Sequence, residues 1–213
     1  MRYRSFLLNI SLCLVAFGVQ AQDVREKPSI LRTGPGLSYF SNHEGSRGVP
    51  RMGLSIALAP TFTLSEQFYL KPELAFSMKG GKIEYNTSGV FNGSVRYRIN
   101  YFELPLLLGI RPLDWLAFEL GGYGAVEVGG NFDFTGTFSY GYGVFDRDDL
   151  NDFDYGVAMG VVLRSRRLHL GIRYYHGLQE VSSGSASHIL LGDAAMRTFQ
   201  LTLQKVRQRR RKW

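Results

Sequence analysis

The chain has 213 residues, 45% hydrophobic and 20% charged, with 25 glycines, 12 tyrosines, 15 phenylalanines and 2 tryptophans. Beyond the N-terminus no apolar run approaches the roughly 18 residues that a spanning helix needs, which excludes helical transporters and channels. Glycine and aromatics at this charge content exclude disorder and coiled coil and suit many strands joined by turns.

Arg2 and Arg4 precede an apolar stretch from Phe6 to Val19, and Val19 and Ala21 hold the small-residue positions before a cut that leaves Gln22 first. This pattern reads as a Sec signal peptide over residues 1–21 and places the chain in an exported compartment. Cys13, the single cysteine, lies within that segment after Leu12, so the mature chain is expected to carry no thiol, disulfide or lipid anchor. Residues 22–30 read as a periplasmic lead, 31–206 as one barrel domain and 207–213 as a basic tail.

Period-two alternation then recurs along the chain. Phe68, Leu70, Leu74, Phe76 and Met78 alternate with Tyr69, Lys71, Glu73, Ala75, Ser77 and Lys79. Phe102, Leu104, Leu106, Leu108 and Ile110 alternate with Tyr101, Glu103, Pro105, Leu107, Gly109 and Arg111. Leu116, Phe118, Leu120, Val126 and Val128 oppose Glu119, Gly121, Tyr123, Ala125 and Glu127, and Leu168, Leu170, Ile172 and Tyr174 oppose His169, Gly171, Arg173 and Tyr175. Weaker examples lie around Leu37, from Leu54 to Phe62, from Tyr155 to Leu163 and from Phe199 to Leu203, giving eight strands in all.

Tight links at Leu64 to Gln67, Pro112 to Asp114 and Ser165 to Arg167 alternate with longer polar ones at Asn42 to Pro50, Gly81 to Gly93, Asn131 to Asp152 and Glu180 to Ala195. In meander order the short turns gather at one end and the long loops at the other. The expectation is an all-β, eight-stranded antiparallel up-and-down transmembrane β-barrel in the outer membrane of a Gram-negative bacterium, with periplasmic termini and extracellular long loops.

The alternative is a soluble lipocalin-like ligand-binding barrel with its apolar parity inside. Against it, the polar parity carries many small residues, among them Gly53, Ala57, Ala59, Gly109, Gly121, Ala125, Gly156, Ala158, Gly160 and Gly171, as a crowded narrow lumen requires. Tyr39, Tyr69, Tyr101, Trp115, Tyr155 and Tyr174 bound the apolar parity where aromatic girdles would form. An eight-stranded barrel is just filled by side chains, and charges of both signs inside it must pair. Lys71, Glu73, Lys79, Glu103, Arg111, Glu119, Glu127 and Arg173, with Asp154 and Arg164, are therefore expected to form an ion-pair plug. Pro60, Pro72 and Pro105 fall inside strand patterns and read as structural kinks.

Several segments together resemble the Bacteroidetes-type outer-membrane β-barrel domain often called PorT-like. They are Gly34 to Phe40, Phe68 to Leu74, Lys79 to Gly81, Tyr101 to Leu108, Gly121 to Gly124, Phe153 to Gly156, Arg173 to Leu178 and Arg197 to Leu201. The resemblance implies an outer-membrane barrel, in a family with one branch that assists protein secretion. Barrels of this kind commonly end on an aromatic residue of the last strand, whereas this chain runs on to Trp213, which shares parity with Phe199, Leu201 and Leu203.

The net charge is +7, and without the signal peptide it is +5. Lys205, Arg207, Arg209, Arg210, Arg211 and Lys212 supply six of those positives, so the body is close to neutral. In an exported chain such a run would meet anionic lipid headgroups or an acidic partner, and no nucleic acid. A lipase-like set can be drawn from His188, Ser182, Ser183, Ser185, Ser187 and Glu180, but its spacing matches no catalytic motif. Asp146, Asp148, Asp149, Asp152 and Asp154 offer oxygen ligands to calcium without the glycine and distal glutamate of an EF-hand loop. Phe132, Phe134, Phe138, Tyr140, Tyr142 and Phe145 are unusually aromatic for a solvated loop and favour strands extended beyond the membrane.

The expected function is a non-enzymatic structural or interaction role, with outer-membrane lipid and an envelope or secretion-complex protein as partners. It has no cofactor and no assigned catalytic, cofactor or metal residues. The alternative within the membrane is a lipid-modifying enzyme or protease.

Overall fold

The computed structural model describes residues 27–41, 46–87, 91–136, 139–144, 153–180 and 195–207. Its strands are β1 (Lys27–Ser41), β2 (Ser46–Leu58), β3 (Phe62–Thr63), β4 (Phe68–Pro72), β5 (Leu74–Thr87), β6 (Phe91–Leu113), β7 (Leu116–Gly136), β8 (Ser139–Val144), β9 (Phe153–Arg164), β10 (Leu168–Glu180) and β11 (Ala195–Arg207). Every pairing is antiparallel, and the order β6-β5-β2-β1-β11-β10-β9-β7 closes through β6 with β7. β3 extends β2, β4 and β5 form one barrel strand, and β8 pairs β7 above β9, so the barrel has eight strands.

The break between β4 and β5 has a cause in three prolines. Leu58 opposite Leu74 and Phe62 opposite Leu70 set a register that places Pro60 opposite Pro72. On the other flank Glu73 N–H donates to the Pro105 carbonyl at 2.8 Å, and Pro105 has no N–H to return. The sheet thus loses ladder bonds on both sides of Glu73 without losing register. The register shifts lie elsewhere, between Pro28 and Arg32, between Pro50 and Ser55, at Asn100/Tyr101, between Ile110 and Leu113 and between His176 and Glu180.

Alternation assigns each face. Glu103 is 1% exposed and Leu104 63%; Glu119 is 3% and Leu120 62%; Arg173 is 2% and Ile172 63%. The apolar parity is therefore on the outside, which overturns the soluble alternative with its apolar interior. A continuous outer belt of such side chains has no water-soluble rationale and is the surface a bilayer covers.

Strand ends extend further than the alternation suggests. Gly81 to Gly93 is no loop: β5 and β6 remain paired from Lys82 with Arg96 to Thr87 with Phe91, and only 88–90 link them. Asn131 to Gly136 pairs with Ser139 to Val144, so part of the longest expected loop is also a hairpin. Backbone groups beyond the belt are satisfied by this pairing. Three tight turns sit at the other end, where Ser165 N–H donates to the Leu168 carbonyl at 3.1 Å and Lys27 pairs with Arg207. β1 thus begins inside the segment read as a lead, and β11 ends on the first residue of the segment read as a tail.

A charge placed at mid-belt tests the outward assignment. Leu106→Arg is expected to lower stability by about 2–4 kcal/mol in lipid, read by urea unfolding in vesicles, whereas Pro112→Ser at the turn is expected to change it little.

Candidate functional site

The polar parity converges inside the barrel on two linked clusters of charge. In the first, the Glu73 carboxylate accepts from Arg32 Nε at 3.0 Å and from Arg173 through both terminal nitrogens at 2.8 and 3.0 Å. Arg173 also reaches Glu119 at 2.5 Å, and Lys71 Nζ lies 3.1 Å from Glu119 and 3.7 Å from Glu73. The Tyr69 hydroxyl donates to Glu119 at 3.0 Å, and Arg32 donates to Gln200 at 3.0 Å.

The second cluster lies toward the opposite end of the barrel. Lys79 pairs with Glu103, which accepts from the Ser77 hydroxyl at 2.9 Å. The Lys79 ammonium sits over the rings of Tyr175, Tyr123 and Tyr101 at 4.9, 5.2 and 5.7 Å, and the Tyr123 hydroxyl donates to Asp154 at 3.1 Å. Tyr175 joins the clusters, because its hydroxyl accepts from Arg173 at 3.2 Å.

The bookkeeping of charge decides what the lumen can be. Among the described residues the buried cations are Arg32, Lys71, Lys79 and Arg173, and the buried carboxylates are Glu73, Glu103, Glu119 and Asp154. Four face four. In a water-poor interior an unmatched ion would cost several kcal/mol, and seven of the eight are directly paired, while Asp154 accepts from the Tyr123 hydroxyl. A void lined by Lys79, Glu103, Tyr175 and Gln200 measures about 10 Å³, room for about one water.

Sheet register explains how these long side chains fit. Followed from strand to strand, the paired residues run Tyr69, Gly109, Glu119, Gly160, Arg173, Gln200, Gly36 and Gly53. A second row runs Asp154, Ala125, Glu103, Ala75, Ala57, Arg32 and Gln204. Large polar residues therefore lie over glycine or alanine on a neighbouring strand. Gly109 is the clearest case: a Cβ there would stand 2.0 Å from the Tyr69 ring, which crosses over it to reach Glu119.

Of the residues singled out in sequence, Lys71, Glu73, Lys79, Glu103, Glu119 and Arg173 meet in these clusters, as does Asp154. Arg111 is instead half-buried near the turns, its guanidinium 4.5 Å from the Tyr69 ring centroid. Arg164 donates to the Asp114 carbonyl at 3.0 Å at the same end, and Glu127 is half-buried toward the other. Arg32 was not among the expected residues, yet it is fully buried; its parity with Gly34, Gly36 and Ser38 is the signal that marks it. Tyr69 and Tyr101 face the lumen rather than a girdle, since they share parity with Lys71 and Glu103. The signal peptide, His188 with its serines, Asp146 to Asp152 and the tail from Gln208 to Trp213 lie outside the described residues; Lys205 is exposed on β11.

Glu73 holds Arg32 and Arg173 together, so Glu73→Ala leaves two buried guanidinium groups short of a partner. The expected loss is about 3–5 kcal/mol, measured by urea unfolding in detergent micelles, with the folded, heat-modifiable gel mobility retained at low urea.

Residues 15–183 match the family described as outer membrane protein beta-barrel domain. No curated protein matches the chain. Among solved structures it is similar to Ail, the attachment invasion locus protein of Yersinia pestis, in complex with the heparin analogue sucrose octasulfate. That likeness has 13% identity over 86% of this chain and 100% of the other, with a TM-score of 0.44. It is also similar to Neisserial surface protein A, at 9% identity over 85% and 99% of the two chains and a TM-score of 0.39. A third likeness is to the outer membrane enzyme PagL, at 13% identity over 80% and 97% and a TM-score of 0.30. With the family match spanning most of its length and a closed eight-stranded barrel as its fold, the chain belongs to the outer membrane protein β-barrel domain family.

Proposed function

We propose that this outer-membrane barrel is non-enzymatic and non-conducting, and that it serves as a structural or interaction protein of the envelope. The charge-balanced lumen carries this reading. Among the described residues its charged groups are engaged with one another or with tyrosine hydroxyls across both clusters, which supports a lumen closed to solutes. The barrel end that holds Lys27, Arg207 and the three tight turns faces the periplasm and the end that holds Ser41, Thr87 and Glu180 faces outward, an orientation supported by the gathering of the tight turns at one end. The PorT-like resemblance supports a secretion or envelope complex as the partner, and the basic run from Lys205 to Lys212 supplies a periplasmic contact for an acidic surface.

Planar-bilayer recording of the refolded protein tests the proposal. The expected result is an electrically silent barrel whose insertion is verified by protease protection. Stable ohmic steps from the inserted wild-type protein would overturn it.

A further inference from the structure

The outer face is apolar over most of its height and then turns cationic on one side. On β6 the outward residues Ile110, Leu108, Leu106, Leu104 and Phe102 belong to the belt, whereas Arg98 and Arg96 follow beyond Asn100. On β5, Leu74, Phe76 and Met78 are followed by Gly80 and Lys82. Register sets these positions side by side, since Lys82 opposes Arg96 and Gly80 opposes Arg98. A bulge between Pro50 and Ser55 on β2 brings Arg51 to the same place, with its guanidinium donating to the Lys79 carbonyl at 2.7 Å. Arg51 is near enough to Arg98 and Arg96 to feel both like charges.

These four cations line a groove of about 330 Å³, and no carboxylate is among its described lining residues. Met52, 69% exposed, also lines it and continues into the belt through Leu54. Asp133, paired with Arg98 at 3.0 Å, balances one charge from the neighbouring strand. Clustered like charge on one outer face raises the local concentration of anions there. The groove stands at the end of the belt, where acyl chains give way to headgroups, and its volume suits something larger than one phosphate ion. Guanidinium groups bind phosphate oxygens through paired hydrogen bonds.

We infer that Arg51, Lys82, Arg96 and Arg98 form a binding site for the phosphorylated sugar headgroup of an outer-leaflet glycolipid, whose acyl chains lie along Met52 and Leu54. The choice of leaflet rests on the proposed outward orientation of the barrel end that holds Thr87, and the experiment separates that orientation from the site itself.

The test titrates diphosphoryl lipid A onto the full mature protein in detergent and reads bound lipid by native mass spectrometry. Dephosphorylated lipid A, phosphatidylglycerol and inorganic phosphate serve as comparisons. The wild-type protein is expected to prefer diphosphoryl lipid A over all three. A triple variant, Arg51→Gln, Lys82→Gln and Arg96→Gln, is expected to bind it on the order of a hundredfold more weakly. Arg166→Gln at the opposite rim is expected to leave binding unchanged. The single variant Arg96→Gln, exposed on the surface, gives the same reading with a roughly fivefold loss if the triple variant does not fold. Equal binding of diphosphoryl and dephosphorylated lipid A, or equal binding by variant and wild type, would overturn the site. Preference for phosphatidylglycerol through the same residues would overturn the glycolipid assignment and the orientation while retaining a cationic lipid site. Binding of inorganic phosphate alone at equal strength would overturn the lipid assignment.

Discussion

Arg173 bridges two carboxylates inside the barrel, and much of the structure follows from the need to keep that contact intact. Its guanidinium reaches Glu73 through two nitrogens and Glu119 through one. Arg32 and Lys71 complete the first cluster, and Tyr175 carries it to the second around Lys79. Buried charges of this kind add little net stability when paired and cost a great deal when one partner is missing. Their value here is geometric: eight strands are held around a fixed, neutral filling, and each strand must contribute either a large polar side chain or the space beside one. The glycine and alanine positions along the paired rows meet that second requirement.

The outside obeys the opposite rule. Leu104, Leu120 and Ile172 stand beside Glu103, Glu119 and Arg173 in sequence yet face the other way, so one chain solves two solvation problems at successive residues. The transition from apolar belt to cationic groove on β2, β5 and β6 marks where the lipid environment changes. Two separate charged systems result. The inner one is balanced among its buried described residues, and the outer one gathers four cations from three strands at the edge of the belt.

Alternation made the fold class legible because a two-sided environment imprints a strict period of two. Glu103 and Leu104 needed only local sequence to be assigned to opposite faces. Arg32 was harder to see because its strand places glycine, serine and proline around it, leaving little contrast between parities. Tyr69 and Tyr101 look like girdle residues by type, and only their parity with Lys71 and Glu103 places them inside. The paired segment from Lys82 to Thr87 opposite Phe91 to Arg96 reads as a loop because Gly80, Gly81, Asn86 and Gly93 signal turns; the long-range ladder overrides them. Likewise each of Pro60, Pro72 and Pro105 is visible as a strand irregularity, but their convergence around Glu73 depends on register, which no local pattern contains. The cationic groove was missed for the same reason, since its four residues come from three strands.

The central claim is that the lumen is held by direct, mutually dependent ion pairs. A double-mutant cycle between Arg173 and Glu119, using Arg173→Met, Glu119→Gln and the pair, measures that dependence by urea unfolding in micelles. The account predicts a coupling of about 1–3 kcal/mol, with the double variant less destabilised than the sum of the singles. Additivity within about 0.5 kcal/mol would mean that these charges do not depend on each other, and it would contradict the plugged lumen.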